Sequence, residues 1–438
     1  VFAAMMGESV RTFEPAKQHA VTTEQTALVQ GLPATRSKTE RVDLVVPEDQ
    51  FASLFQTGLK TAKHSSGQEY AAPTGALLVP KSFADTVEFA YVPTPPTFFR
   101  PDPVAPSLSL DHLDLADVVL MLNAARCHRR GWTGRNVRLA MTDSGFGLHP
   151  YFERNGYNIR RVTTSTVTTQ PTEDLSGHGT GESANALAIA PDCTFVGVKH
   201  DDYSALALET ALAEKPQIIT NSWGWDIDRT SRDQLQTTDP NQYNELVDVE
   251  RIITTATSDG VVVIFSAGNG HLAFPACMPK VLAVGGVAAS ADGSLEASDY
   301  ASSFKSQLYP DRLVPDICGI VGYSGIPPQR GHIMLPVPPE SQLDGANMPA
   351  SMKGRGWGVF SGTSAAAPQV AGIVALMLGA NPQLTPQNVR DLLLASAVDI
   401  TRGKTARGDV AATGPDLATG SGLVDAFIAC QRAAALVS

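Results

Sequence analysis

Five short apolar runs constrain the fold of this chain more than anything else in it. They are "NVRLAMTD" (136–143), "CTFVGVK" (193–199), "QIITNSW" (217–223), "GVVVIFSAGN" (260–269) and "VLAVGGV" (281–287). None alternates cleanly between apolar and polar residues. Runs of that kind suit strands covered on both faces, which is the condition of a parallel sheet. The stretches between them, among them "SALALETALAEK" and "YNELVDVERIITTATSDG", read as helices. The expected architecture is therefore α/β, a parallel sheet covered by helices on both faces, with functional groups where the strands end.

The first hundred residues follow a different pattern. "RVDLVV" (41–46) reads as a strand, and "PEDQFASLFQTGLKTA" (47–62) as an amphipathic helix with proline at its start. "GALLVP" and "VEFAYV" read as further strands. A proline-rich stretch, "VPTPPTFFRPDPVAPS" (92–107), then supplies an extended linker that neither a helix nor a central strand accommodates. This gives a small α+β module at 1–91, a linker at 92–107 and the large α/β domain at 108–438. A chain of 438 residues has room for that division.

Composition narrows the function classes. The chain is 43% hydrophobic with a net charge of −11, which argues against nucleic acid or an anionic membrane as its partner. No window holds the ~18 uninterrupted apolar residues of a membrane span. The opening "VFAAMMGESV" is too short for a secretory signal, and its first valine is consistent with a leader already removed. Five cysteines, at 127, 193, 277, 318 and 430, are odd in number, widely spaced and without metal-ligand spacing. Buried free thiols in a reducing compartment such as the cytoplasm are expected rather than a disulfide framework.

The chemistry gathers at four places. Asp143 ends the first apolar run, in "TDSGFG". His178 stands between glycines in "DLSGHGTGESANALAIA", at the start of a small-residue helix. Asn269 follows Ser266 at the end of "VIFSAGN". Ser364 opens a long apolar helix in "GVFSGTSAAAPQVAGIVAL". Taken singly, each has an ordinary reading: a turn aspartate, a structural histidine, a left-handed asparagine, a helix-start serine. Together they set an acid, a base and a hydroxyl at the ends of different elements of one sheet. Pro368, close behind Ser364, is expected to sit in the helix's first turn, where a missing N–H has no intrahelical partner.

The pieces "DSG", "HGT", "NSWG" (221–224), "SAGN", "VPDI" (314–317), "GTSAAAP" and "GSGLVDA" (420–426) make the chain resemble the subtilisin family of serine proteases from about residue 108 onward. The order Asp, His, Ser is that family's order. The resemblance implies a serine endopeptidase working through an acyl-enzyme, with Ser364 as nucleophile, His178 as base and Asp143 holding the imidazole. It implies an oxyanion hole from Asn269 and the backbone N–H of Ser364. Ser222, Trp223 and Gly224 would pair with an extended substrate peptide, although Trp223 has an equally good reading as a core aromatic. Ser266, Ala267 and Gly268 would line the pocket for the residue before the scissile bond, with Ala273 at its floor.

Two departures from the pattern matter. Gly181 replaces the family's usual histidine after "HGT". The segment after His178 leaves no room for the loop that builds the strong calcium site of many relatives. No cofactor and no metal ligand is therefore expected, with Asp201 and Asp202 the one acidic pair considered for a hard cation. A long connection at 318–359 leads almost directly into Ser364 and reads as a flap over the cleft or a plain surface excursion. The resemblance also casts residues 1–91 as a pro-domain that docks on the cleft, or as a permanent regulatory or partner-binding domain. A protein or peptide substrate is expected. The alternatives are a catalytically silent binding module and a peptide ligase or cyclase using the same triad.

Overall fold

The apolar runs become neighbouring strands. The computed structural model describes residues 20–98 and 112–436, apart from breaks at 21–22, 29, 38–40, 65–68, 168, 201–202, 290–292 and 325–330. Its main sheet holds β1 (Arg138–Asp143), β2 (Asn158–Thr163), β3 (Thr194–Lys199), β4 (Ile218–Asn221), β5 (Val262–Ser266), β6 (Leu282–Ala289), β7 (Leu295–Ala297) and β8 (Ile317–Val321). The order is β7-β6-β5-β4-β1-β3-β2, with β8 pairing to β6. All pairs are parallel except β6 with β7. Burial explains the missing alternation: every residue of β4, β5 and β8 is buried.

Helices flank the sheet. α1 (His178–Ile189) packs on β1 and β3, α2 (Ser204–Ala213) on the same two strands, and α3 (Thr363–Ala380) across β4, β5, β6 and β8. α1 and α3 touch each other closely. A Cβ on Gly372 of α3 would lie 2.7 Å from the Ile189 Cβ and 2.9 Å from the Ala186 carbonyl, so only glycine lets the helices approach this far. α3 is long and apolar enough to cross a membrane, and it is 89% buried as the core of this unit. All five cysteines are buried and free.

The chain divides into two compact units, one taking in Val1–Pro95 with Ser231–Ile252, the other Pro96–Thr230 with Ile253–Ser438. The first holds an antiparallel pair, Ala34–Arg36 with Val42–Leu44, the helix Glu48–Phe55, and a hairpin of Leu59–Lys63 with Glu69–Pro73. The helix stops well short of residue 62: Gln56 turns left-handed at φ 56°, and "LKTAK" enters the hairpin instead. Neither "GALLVP" nor "VEFAYV" forms a strand, which corrects the sequence expectation. The backbone of the second bonds to side chains of the helix Pro240–Ser258. Asn241 accepts from Val92 N at 2.9 Å and donates to Val92 O at 3.1 Å, while Asn244 donates to Ala90 O. Once side chains satisfy these groups, no sheet partner is needed.

Candidate active site

β1, β4 and β5 end side by side, with Thr142 beside Asn221 and Asn221 beside Phe265, so whatever follows them projects from one edge of the sheet. Asp143 is fully buried there. Its Oδ1 accepts from the Ser144 N–H at 2.7 Å and stands 2.8 Å from His178 Nδ1. Glycine permits this approach: a Cβ on Gly179 would meet the Gly145 carbonyl at 2.3 Å and the Asp143 Cβ at 2.9 Å. His178 is 2% exposed at the N-terminus of α1, and Ser364 is 2% exposed at the N-terminus of α3.

The helix behind Ser364 departs from the sequence expectation. α3 begins at Thr363, which makes Pro368 its sixth residue rather than a first-turn proline. The N–H that Pro368 lacks would have bonded the carbonyl of Ser364, four residues back. Ser222 Oγ donates to that carbonyl instead, at 2.9 Å. The Ser222 side chain thus holds the Ser364 backbone, and the whole residue is buried. Ser222→Ala should remove this bond, lower stability by about 1–3 kcal/mol, and reduce turnover with little change in KM. Thermal melts with steady-state kinetics check this; an unchanged melting temperature would refute the assignment.

Asn269 is anchored by its amide oxygen, which accepts from Thr363 N at 3.0 Å and Thr363 Oγ1 at 3.1 Å. That leaves Nδ2 as its donor. Gly268 N donates to Thr363 Oγ1, tying the loop after β5 to the start of α3. Ser266 and Ala267 are fully buried. Gly268 and Ala273 adjoin, since a Cβ on Gly268 would lie 3.4 Å from that of Ala273.

Trp223 has two parts to play, and its side chain takes the core reading. The ring is fully buried, edge-on to Phe265 and His200, and Nε1 donates to Thr142 Oγ1 at 2.7 Å. Thr142 in turn donates to Asn221 Oδ1 at 2.6 Å, a polar brace beneath the strand ends. The backbone of Trp223–Asp226 is a strand with an antiparallel neighbour on each side. Ala273–Phe274 lies on one, while Thr97–Phe98 lies on the other, pairing Phe98 with Trp223 and Thr97 with Gly224. An extended segment of the chain's own sequence therefore pairs with Trp223 and Gly224, two of the residues that the resemblance assigns to peptide binding.

Sequence reasoning missed Asp174. Buried to 3% exposure, it accepts from Ser144 Oγ (2.8 Å), Gly177 N (2.9 Å), Thr180 N (3.0 Å) and Thr180 Oγ1 (2.6 Å), and so ties the residues after Asp143 to those around His178. Burial pushes its carboxyl up and the donors from Thr180 and Ser144 pull it back. In "EDLSGHG" it looks like any loop aspartate; four converging donors are a tertiary fact. Gly181 also has its reason here, because a Cβ would strike Phe360 Cζ at 2.5 Å.

The long connection before Ser364 carries regular structure of its own. After β8, His332–Pro336 pairs antiparallel with Trp357–Phe360 and parallel with His112–Leu113. Between them a lobe is organised by Asp344, whose carboxylate accepts from the N–H groups of Glu340, Gly354 and Gly356. It fastens to the loop before His178 through Gln342 N to Leu175 O and Leu343 N to Ser176 O. Asp201 and Asp202 lie outside the described residues.

Residues 134–422 match the family model Peptidase_S8, the subtilase family. The chain belongs to the subtilase family. It is 27% identical over 305 residues to Subtilisin NAT of Bacillus subtilis subsp. natto, covering 64% of this chain and 65% of that protein. To Subtilisin E of Bacillus subtilis (strain 168) it is 26% identical, with the same coverage. The chain thus spans just under two thirds of the length of these relatives. Among solved structures it is similar to a lanthipeptide protease (TM-score 0.54, 21% identity, 72% of this chain and 93% of that one). It is also similar to fervidolysin from Fervidobacterium pennivorans (TM-score 0.56, 20% identity, 87% and 59%), described as a keratinolytic enzyme related to subtilisin.

Proposed function

We propose that the chain is a serine endopeptidase that cleaves peptide bonds through an acyl-enzyme. The observation that carries the reading is the buried His178–Asp143 pair, at 2.8 Å, in the unit that starts α3 with Ser364. Ser364 Oγ attacks the carbonyl carbon as His178 Nε2 takes its proton, and the proton then passes to the leaving amine. Asp143 accepts from Nδ1–H, which fixes the tautomer and stabilises the imidazolium. Asn269 Nδ2 and the Ser364 N–H would hold the oxyanion, favoured by the unpaired N–H groups of the α3 N-terminus. Water releases the acyl group. Every atom transferred comes from peptide, serine, histidine or water, so the reaction calls for no cofactor. Calcium would be at most a stabiliser, because only four residues, 190–193, separate α1 from β3.

The substrate lies extended beside Trp223–Asp226 by strand addition. Gly268 and Ala273 support a pocket for a hydrophobic or medium-sized residue before the scissile bond. The pairing of Thr97–Phe98 with that strand supports a self-blocking N-terminal region. On this reading wild-type protein is cut after the module and then reacts with a fluorophosphonate, while Ser364→Ala stays whole and unlabelled. Intact masses and labelling check both. A wild type that labels and remains whole would make the N-terminal module permanent, and a folded wild type that stays unlabelled after a second protease removes residues 1–107 would sink the catalytic reading.

A further inference from the structure

α1 and α3 each carry one proposed reacting group at the N-terminus, and both helices are rich in small buried residues. Ala184, Ala186, Ala365, Ala366, Ala367 and Gly372 are all small and buried. Apolar contacts such as that of Gly372 with Ile189 are non-directional, whereas hydrogen bonds between the helices fix direction as well as distance. One polar chain runs from α1 to α3. Glu182 Oε2 accepts from Asn185 Nδ2 at 2.9 Å, and Asn185 Oδ1 accepts from Gln369 Nε2 at 3.3 Å. Gln369 of α3 also bonds both backbone groups of Ile320 in β8, at 2.8 and 2.9 Å. All three side chains are buried, with exposures of 1%, 0% and 0%.

We propose that Glu182 is a positioning residue for the reaction, setting the register of the His178 helix against the Ser364 helix through Asn185 and Gln369. This inference rests on the serine-protease reading above. Glu182 lies one turn beyond His178, on the same face of α1. The chain it begins adds directional bonds to that apolar contact, and buried polar networks of this kind select one arrangement among near-equal packings. The reward is large, because a misplacement of about 1 Å between reacting groups costs about 10²-fold.

Ionising Glu182 would place a buried charge where the described residues offer it no counter-ion. Among the described residues no lysine or arginine forms an ion pair with it. Burial pushes its carboxyl up to about 8; His178 pulls it back, Asp143 pushes it further, and the Asn185 donor opposes. Around it α3 offers Gln369, β8 the Ile320 backbone, and β1 Asp143. The strand His332–Pro336, packed on α1, carries His332, whose Nε2 is committed to Tyr323 O. β3 carries Lys199, which donates to Thr169 Oγ1 and Glu173 O. Helix Leu115–Met121 contributes Asp117, bonded to Asp114 N. Folded protein keeps a proton that unfolded chain releases above about pH 4.5. Stability from this group therefore falls as pH rises from about 4.5 through about 8, then levels.

The test compares Glu182→Leu, Glu182→Gln, Gln369→Leu and the double Leu variant with wild-type protein, on a peptide anilide from pH 5 to 10. Glu182→Leu should lower kcat by about 10- to 100-fold with KM within about threefold. Glu182→Gln keeps the acceptor oxygen without the titration. It should recover most of the turnover at pH 7 and hold it above pH 8, where wild type declines. Gln369→Leu should repeat the loss, and the double variant should be no worse than either single change. The proposal is overturned if Glu182→Leu leaves kcat intact, if Glu182→Gln is as poor as Glu182→Leu, or if the two losses multiply. Should Glu182→Leu fail to fold, Gln369→Leu and the Glu182→Gln pH profile decide. A wild type that reacts with fluorophosphonate while these variants behave like it sinks this inference alone; a wild type that never reacts sinks the reading beneath it.

Discussion

On the proposed function, Ser364→Ala should eliminate peptide-bond cleavage while leaving the fold as stable as before. The scale for the loss, about 10⁶-fold in turnover, is the one measured on subtilisin's own serine. The structure says why the effect should be chemical rather than structural. Ser364 is held by its backbone: its carbonyl accepts from Ser222 Oγ, and the residue before it, Thr363, is fixed to Asn269. Removing Oγ disturbs none of these bonds, and alanine is the best helix former for the position. The melting temperature should therefore stay within about 2 °C of wild type. Calorimetry beside a peptide assay tests both halves. Turnover above about one per cent of wild type would mean that another group performs the attack.

Asp143→Asn should cost about 10⁴-fold in turnover, the loss found when the buried aspartate of another serine protease is changed in the same way. Both donors on Asp143, Ser144 N and His178 Nδ1, converge on one oxygen. An asparagine can keep that oxygen in place, so the ring need not move far. What it cannot supply is negative charge opposite the developing imidazolium, at a site with no exposure to water that could substitute. The expected signature is a fall in kcat with KM nearly unchanged. A variant retaining a tenth of wild-type turnover would show that Asp143 only orients.

The contrast between legible and illegible parts of this chain follows from where the information resides. Buried parallel strands announce themselves as apolar runs, which is why the runs in the sequence match β1, β3, β4, β5 and β6 to within three residues at each end. β2 was not: "NIRRVT" is an edge strand with alternating exposure, and its two arginines disguise it. The N-terminal "VEFAYV" failed in the opposite sense, since its strand-like composition is satisfied by asparagine side chains. Motifs made the four proposed reacting groups legible because glycine spacing is local. The roles of Asp174 and of the Ser222 hydroxyl are not legible in the sequence, because each acts on residues that are near only in the folded chain, such as Thr180 or Ser364. Pro368 is a different case: even with the helix opening at Ser364 it is the fifth residue, already past the four N–H groups that lack partners, and α3 starts one residue earlier still.

The strand order has one more consequence, which concerns timing. β1 sits near the middle of the sheet, between β4 and β3, while α3 enters from near the end of the chain and crosses β4, β5, β6 and β8. Asp143 and Ser364 therefore cannot meet until nearly every strand between them has been laid down. On the proposed function, a nascent or half-folded molecule would hold the parts of a peptide-cutting centre but not the centre. Non-local assembly of this kind is slow, and here that slowness would act as a safety interval: in refolding, activity should return only with the last phase of tertiary structure.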